Sequence, residues 1–455
     1  MWFERIVAEG LSHISYIVGS GGKAAVIDPR RDCDIYLDFA DRHDSVITHI
    51  FETHRNEDYV IGSIELAHRC GAQICHGTKM DFAYGNPVRE NDMFPIGTLA
   101  LTALETPGHT EESLSYVLSD TEVSPDPYMV FSGDTLFPGD IARTDFFGND
   151  RKAEMAEKIY ESITGKLFPL GDCVIVCPAH GAGSLCGGEI VDHPFTTLGY
   201  EKRTNPLILM GKEAFVRHRA TESPYFPPYF KKMEDLNRKG ALLLSTLARP
   251  QPLSVPDVKN LVSSGCQVVD LRSPSAFAAG YIPQSISIWR DGISQFAGWV
   301  LSYDLPIVII ADYNCDLQTL FAYFTRTGYD NISGWLASGF PAWFRAAQPL
   351  WTIKTCAVQD LKGTILPEKP FLLDVREIKN RIHTGWIAGS HHVYVGEVLD
   401  HLDEIPRDRP VVIYCNSGYK GTLAASLLAR AGYRDITNVL GGMQAWINAG
   451  YPVEK

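Results

Sequence analysis

Glu52-Thr53-His54-Arg55-Asn56-Glu57-Asp58-Tyr59 follows directly on the apolar, β-branched run Ser45-Val46-Ile47-Thr48-His49-Ile50-Phe51. The apolar run predicts a buried strand. The polar stretch after it then sets an imidazole, His54, and a carboxylate, Asp58, at the end of that strand. Three further strings repeat the arrangement. In Thr106-Pro107-Gly108-His109-Thr110 the glycine permits the close backbone turn that aims His109 inward. Phe131-Ser132-Gly133-Asp134 puts a carboxylate at a strand end, and Cys177-Pro178-Ala179-His180-Gly181 does the same for a histidine. One histidine alone is most often structural or exposed. Four such strings in the order His54, His109, Asp134, His180 point to a metal site.

Composition sets the frame around this site. The 455 residues are 45% hydrophobic and 21% charged, a globular composition that predicts three domains at ~150 residues each. A formal net charge of −13 argues against nucleic acid or an anionic membrane surface as the main partner. No apolar run approaches the ~18 residues of a membrane span. The start, Met1-Trp-Phe-Glu-Arg-Ile-Val-Ala-Glu9, has no basic region followed by an apolar one, so no signal peptide is expected. Ten scattered cysteines without a CxxC pair suit free thiols, and a cytoplasmic location is expected. The oligomeric state is open, a homo-oligomer included.

Residues 1–195 read as one α/β unit. Strands are expected at Ser15–Val18, Ala24–Ile27, Leu99–Leu104, Leu114–Leu118, Tyr128–Phe131 and Val174–Val176, with a helix over Ser63–Arg69 among the intervening helical patterns. Residues 196–245 are helical and interrupted by Pro224, Pro227 and Pro228, an extension expected to pack back on the first domain. The remainder contains a repeat. Val268-Val-Asp270-Leu-Arg272 matches Leu372-Leu-Asp374-Val-Arg376, and Arg326-Thr-Gly328-Tyr329 matches Arg430-Ala-Gly432-Tyr433, both at an offset of 104. The expected boundaries are therefore 1–245, 246–350 and 351–455.

The run after the first strand resembles the T-H-x-H-x-D-H signature of the metallo-β-lactamase superfamily, with Asn56 and Tyr59 standing where that family has histidines. The resemblance covers about the first 195 residues and implies an αβ/βα sandwich. A hydrolase of this fold holds two zinc ions that activate a water. One ion would need His54, residue 56, His109 and Asp134; the other would need Asp58, residue 59, Asp134 and His180. Asn56 and Tyr59 are poor replacements for imidazole. The complete remainder is His54, His109 and Asp134, two histidines and one carboxylate, which can form a facial triad for Fe(II).

That set is similar to the persulfide dioxygenases, iron enzymes of this fold. The likeness extends to Ala142-Arg143-Thr144-Asp145-Phe146, Pro178-Ala-His-Gly-Ala-Gly-Ser184 and Gly199-Tyr-Glu-Lys-Arg-Thr-Asn205. It implies one Fe(II) per chain, a substrate-pocket role for Arg143, and Asn56, Asp58, Tyr59 and His180 around the metal rather than on it; the alternative for Arg143 is a structural ion pair with Asp145 or another carboxylate.

The last part carries a second chemistry. The strand Arg409–Tyr414 leads into Cys415-Asn416-Ser417-Gly418-Tyr419-Lys420-Gly421, and Thr422–Arg430 reads as a helix stopped by Gly432. A cysteine opening such a loop sits where backbone N–H groups and a helix N-terminus converge, a field that stabilises a thiolate or persulfide anion. The string resembles the C-x-x-G-x-R loop of rhodanese sulfurtransferases, with Lys420 in place of Arg. Asp374-Val-Arg-Glu377, Gly385-Trp-Ile-Ala-Gly389 and Gly441-Gly-Met-Gln-Ala-Trp446 match further landmarks of that family. Lys420 keeps the charge but loses the bidentate fork. The offset maps Cys415 onto Ala311 and Lys420 onto Asp316, while Cys315 falls off register. The middle copy thus reads as an inactive rhodanese-like, doubly wound α/β domain.

The whole chain resembles persulfide dioxygenase–rhodanese fusions. That resemblance implies oxidation of a small-molecule thiol persulfide by O₂ to sulfite and thiol, with sulfane sulfur moved through a Cys415 persulfide, to or from sulfite, as thiosulfate. Two other readings stand beside it. One is a zinc-dependent thioester hydrolase; the other is a sulfur-carrier module with a silent metal domain.

Overall fold

The apolar run that leads to His54 forms strand Val46–Phe51, parallel to Lys23–Ile27 on one side and to Gln73–Gly77 on the other. In this computed structural model, which describes residues 1–455, the chain divides into two compact units. One is Met1–Thr246 with Thr325–Gly328; the other is Leu247–Phe324 with Tyr329–Lys455.

In the first unit, six strands pair in chain order: Trp2–Ala8, His13–Ser20, Lys23–Ile27, Val46–Phe51, Gln73–Gly77 and Asn86–Val88. A second six-stranded sheet runs Thr196–Thr197, Ile175–Pro178, Met129–Gly133, Leu114–Asp120, Leu99–Glu105, Met93–Ile96. Strand periodicity sorts the side chains between layers. Tyr16, Phe51, Leu101, Tyr116 and Phe131 fill the space between the sheets. Their neighbours Ile17 and Ile50 face the other way, against Tyr36, Ala40 and Leu66 of helices Asp34–Arg42 and Ser63–Cys70. On the far side Val117, Val130 and Val176 pack on Ala156 and Ile159 of helix Lys152–Ser162. The result is the αβ/βα sandwich expected from the sequence.

Phe131 is wholly buried in the central layer. Phe131→Ala is expected to destabilise this unit by ~3–5 kcal/mol, read as a lower denaturant midpoint of its unfolding transition. An unmoved midpoint would place Phe131 outside the core.

Each strand anticipated in the first domain is present, with ends shifted by a residue or two. Seven were not anticipated: Trp2–Ala8, Gln73–Gly77, Asn86–Val88, Met93–Ile96 and the two-residue strands Leu136–Phe137, Asp140–Ile141 and Thr196–Thr197. The extension is helical over Leu198–Thr204, Pro206–Leu209, Lys212–Thr221 and Phe230–Lys239, with the three prolines between the last two helices. It packs back on the sandwich: Phe215 is buried in the same cluster as Ile159.

The second unit contains two five-stranded parallel sheets of identical order. The first runs Gln251–Leu253, Ile332–Leu336, Ile307–Ile310, Gln267–Asp270, Ile286–Ser287; the second runs Lys354–Cys356, Ile436–Val439, Val411–Tyr414, Phe371–Asp374, His391–His392. The two central strands of each copy lie 104 residues from their counterparts. The repeat extends to a buried ion pair at the end of the same strand. Arg272 Nη2 meets Asp270 Oδ2 at 2.6 Å, and Arg376 Nη2 meets Asp374 Oδ2 at 2.7 Å. No helix is long and apolar enough to cross a membrane.

Candidate metal centre and sulfur-transfer loop

The ends of four strands of the sandwich bring His54, His109, Asp134 and His180 together, all buried. Asp134 Oδ2 lies 3.7 Å from His54 Nε2 and 3.6 Å from His109 Nε2. Both imidazoles are fixed through their other nitrogen. Thr53 Oγ1 donates to Asp28 Oδ2 at 2.7 Å, which leaves it to accept from His54 Nδ1 at 2.9 Å. His109 Nδ1 donates to the Arg143 carbonyl at 3.0 Å. With the ring proton on Nδ1, each Nε2 lone pair faces the cluster, the tautomer that metal-ligating histidines take.

Gly108 makes the approach of His109 possible. Its φ is +145°, and a Cβ there would fall 2.4 Å from the backbone nitrogen of Ile159. Gly108→Ala is expected to displace His109 and lower metal content; metal retained at the wild-type level would show the turn to be dispensable.

Glu57, quoted in the opening run but given no role there, joins the group. Its Oε2 lies 3.4 Å from His109 Nε2, while Oε1 faces Arg55 Nε at 3.5 Å. One donor atom each from His54, Glu57 and His109 lies within 4.8 Å of the others. His54 Nε2, His109 Nε2 and Glu57 Oε2 are buried without a hydrogen-bond partner. Burial lowers the pKa of His54 to about 4, so its imidazole stays neutral. Burial alone would also lower that of His109, but the Glu57 and Asp134 carboxylates outweigh it and raise it. The same negative field favours a cation among these atoms. Nitrogen and carboxylate donors with unsatisfied lone pairs, sealed from water, fit a divalent transition-metal ion.

His180 is held differently. Its Nδ1 lies 2.8 and 2.9 Å from the two Asp134 oxygens, and Nε2 lies 3.1 Å from Asp58 Oδ2. Burial would depress its pKa, but Asp134 and Asp58 hold it well above the ordinary value. Asp58, His180 and Cys186 form a second group of donors within 4.8 Å of one another, and Cys186 also groups with His109 and Asp134. Nothing in the spacing of Cys186 from His180 signalled this.

At the two positions that lack histidine, Asn56 Nδ2 donates to the His54 carbonyl at 3.3 Å, and the Tyr59 ring packs on His13 with centroids 3.9 Å apart. The loop is clamped from the helical extension. Asn237 Nδ2 donates to the carbonyls of Asn56 at 2.6 Å and Tyr59 at 2.8 Å, and its Oδ1 accepts from Ile61 N at 2.9 Å. Asn237→Ala strands three buried backbone groups at ~1–3 kcal/mol each. It is expected to weaken metal binding together with thermal stability; unchanged metal affinity would uncouple the extension from the site. Arg143 is committed to Asp145 by two bonds of 2.7 Å and to the carbonyls of Leu185 and Tyr225. Its carbonyl, rather than its charge, reaches the metal group, through His109.

In the second unit, Cys415 follows strand Val411–Tyr414 and is buried, with Gly418 N donating to its Sγ at 3.0 Å. Helix Tyr419–Arg430 starts just beyond, so its positive end lies at the Asn416–Gly421 loop. The loop is held against Gly442, where a Cβ would fall 2.1 Å from the Cys415 carbonyl oxygen. Lys420 Nζ pairs with Glu377 at 2.7 Å and lies 5.4 Å from the Phe296 ring of the neighbouring copy. Trp289 of that copy meets Tyr419 edge-on at 5.2 Å. In the first copy Ala311 follows strand Ile307–Ile310. There Asp316 caps the next helix, accepting from Gln318 N at 3.1 Å and Thr319 N at 3.3 Å. Burial, with Asp312 and Asp316 close by, raises the Cys315 thiol pKa.

Comparison with known proteins agrees with both halves. Residues 9–180 match the metallo-β-lactamase superfamily, and residues 254–346 and 357–449 each match the rhodanese-like domain. A metallo-β-lactamase structure from Staphylococcus aureus is similar at TM-score 0.66 and 30% identity, over 74% of this chain and 99% of that one. Hydroxyacylglutathione hydrolase GloC of Haemophilus influenzae is 27% identical over 41% of this chain and 87% of its own. Human "Persulfide dioxygenase ETHE1, mitochondrial" is 28% identical over 45% of this chain and 74% of its own. The chain belongs to the metallo-β-lactamase superfamily, as a metallo-β-lactamase domain followed by two rhodanese-like domains, with persulfide dioxygenases among its relatives.

Proposed function

We propose that the chain is a bifunctional enzyme of sulfur metabolism, with a persulfide dioxygenase over residues 1–245, a silent rhodanese-like copy over 246–350 and an active sulfurtransferase over 351–455. The observation that carries the first activity is the convergence of His54 Nε2, His109 Nε2 and Asp134 Oδ2, sealed from water with both imidazole protons fixed on Nδ1. These three residues would hold one Fe(II). A ferrous ion supplies the one-electron chemistry that lets O₂ react with a closed-shell thiol persulfide. The chain's part is to fix the donor atoms, exclude bulk water and orient the substrate. The overall reaction is RSSH + O₂ + H₂O → RSH + SO₃²⁻ + 2 H⁺. The likeness to a protein named persulfide dioxygenase supports this reading.

At the other site, Cys415 would carry sulfane sulfur as Cys–S–S⁻. Transfer to sulfite yields Cys–S⁻ and S₂O₃²⁻, and the reverse loads the cysteine. The Gly418 N–H and the helix end support an anionic sulfur there. All ten cysteines are unpaired, which supports a reducing, cytoplasmic setting.

The test is metal analysis of anaerobically purified protein together with O₂ uptake on a small thiol persulfide. One iron per chain and O₂ consumption with sulfite release are expected. A second reading, a zinc thioester hydrolase, is favoured by the Asp58–His180–Cys186 group and by the likeness to a hydroxyacylglutathione hydrolase. Two zinc ions per chain with O₂-independent thioester cleavage would establish it instead. If the two activities act in sequence, joining them in one chain raises the concentration of each product at the other site. Full-length protein should then yield thiosulfate as well as sulfite from persulfide, and Cys415→Ser should shift the products toward sulfite. Equal ratios in the two proteins would mean that the activities are independent.

A further inference from the structure

We propose that Glu57 is itself a metal ligand of this centre, supplying through Oε2 the donor that an imidazole at position 56 would otherwise provide. The inference rests on the proposed metal site at His54, His109 and Asp134, and adds a fourth protein donor to it.

Three observations carry it. The first is spacing. Donors ~2.0–2.2 Å from a shared ion lie about 3.3–3.6 Å apart at tetrahedral angles. Glu57 Oε2 to His109 Nε2 is 3.4 Å, beside 3.6 Å from His109 Nε2 to Asp134 Oδ2 and 3.7 Å from His54 Nε2 to Asp134 Oδ2. Glu57 is thus as close to His109 as the carboxylate already assigned, and lies within 4.8 Å of the His54 donor.

The second is the division of labour within one carboxylate. Oε1 faces Arg55, whereas Oε2 is buried with no hydrogen-bond partner and aimed at the cluster. A carboxylate oxygen buried away from water without a hydrogen bond, its neighbour an imidazole nitrogen at 3.4 Å, is costly unless a cation shares it. Two carboxylates and two imidazoles, which bind a metal in their neutral form, bring two negative charges, which balance a divalent ion.

The third is position. Glu57 lies next to Asn56, where the superfamily signature has a histidine. The Asn56 amide is a weak neutral donor already turned to the His54 carbonyl at 3.3 Å. The loss at 56 and the carboxylate at 57 read as one exchange, an anionic oxygen for a neutral nitrogen. Such a centre leaves fewer positions for exogenous ligands than a three-residue triad, and its hard oxygen donors favour Fe(II) or Mn(II) over a thiolate-seeking ion.

The test is titration of Co(II), followed by its visible absorption, into full-length metal-free protein under anaerobic conditions, with Kd set by a competing chelator. Wild type, Glu57→Gln, Glu57→Asp and Arg55→Gln are compared. Glu57→Gln keeps the shape and removes the charge; a Kd at least ~100-fold weaker, with an altered Co(II) band, is expected. Glu57→Asp keeps the charge but withdraws it by one methylene, so a direct ligand predicts weaker binding and a changed spectrum here too, readable even if the Gln variant fails to fold. Arg55→Gln removes the partner of Oε1 and should shift Kd far less. Wild-type affinity in both Glu57 variants, with metal still bound, would overturn the Glu57 ligand alone. An Arg55→Gln loss as large as that of Glu57→Gln would also overturn it, making Glu57 a structural partner. Failure of wild type to bind Co(II) at all would overturn the metal site and this inference together.

Discussion

Cys415→Ser is expected to reduce thiosulfate:cyanide sulfur transfer by at least ~10³-fold, because the reaction needs a sulfur nucleophile that can form and release a persulfide. The thiolate takes the outer sulfur of thiosulfate, releasing sulfite, and cyanide then removes that sulfur as thiocyanate. A serine hydroxyl in the same loop accepts the Gly418 N–H but forms no such intermediate. Iron content should be unaffected, since Cys415 lies in the second unit and the metal group in the first. Cys315→Ser is expected to leave transfer unchanged: that thiol is off the strand-end register that Ala311 occupies, and burial beside Asp312 and Asp316 disfavours its thiolate. Loss of transfer in Cys315→Ser with retention in Cys415→Ser would reverse the assignment of the two copies. Lys420→Ala should fall between these extremes, because its ammonium contributes field rather than nucleophile and is already shared with Glu377.

How far the sequence could be read depended on where the information was local. Strands such as Leu99–Glu105 and Leu114–Asp120 carry continuous or alternating apolar residues, and both were legible. Trp2–Ala8 was not: Glu4 and Arg5 interrupt its pattern, which an edge strand tolerates because only one neighbour pairs with it. Gln73–Gly77 and Asn86–Val88 are too short and too mixed for a periodicity argument. The repeat in the second half was legible because one spacing recurs in strand, ion pair and helix end alike. At the metal group, His54, His109 and Asp134 could be listed from motif strings. Glu57 could not, although it stood in the same run, because a carboxylate beside Asp58 reads equally as a solvated loop charge. Only the geometry separates its two oxygens, one toward Arg55 and one toward His109. Cys186 and Asn237 reach the site from segments with no metal signature, Asn237 across 181 residues of chain from Asn56. Arg143 shows the converse. The motif left a pocket cation and an ion pair with Asp145 both open; the guanidinium bonds Asp145 and two carbonyls, and the backbone of the same residue orients His109.

Removing any one of His54, His109 or Asp134 is expected to abolish metal occupancy and, with it, O₂ uptake on a persulfide. His54→Ala and His109→Ala each delete a nitrogen donor whose tautomer is fixed by a dedicated partner, Thr53 for His54 and the Arg143 carbonyl for His109. Asp134→Ala is expected to be at least as severe, because Asp134 also receives His180. Its loss would leave the imidazolium buried against Asp58 alone, a cost of several kcal/mol for an incompletely paired charge. His180→Ala is the informative contrast. His180 holds Asp134 through both carboxylate oxygens, 2.8 and 2.9 Å away, so its removal loosens a ligand without deleting one. Partners of that kind typically alter affinity by ~10–100-fold. His180→Ala should therefore bind one iron at high metal concentration and lose it more readily to a chelator, whereas His54→Ala should bind none at either concentration. Elemental analysis and chelator competition on the purified variants separate the two outcomes. Two zinc ions in wild type, both lost in His180→Ala, would make His180 a ligand and the centre binuclear, with Asp58 and Cys186 completing the second position. One ion that survives the His180 substitution would fix the count at one and leave His180 as the residue that positions Asp134.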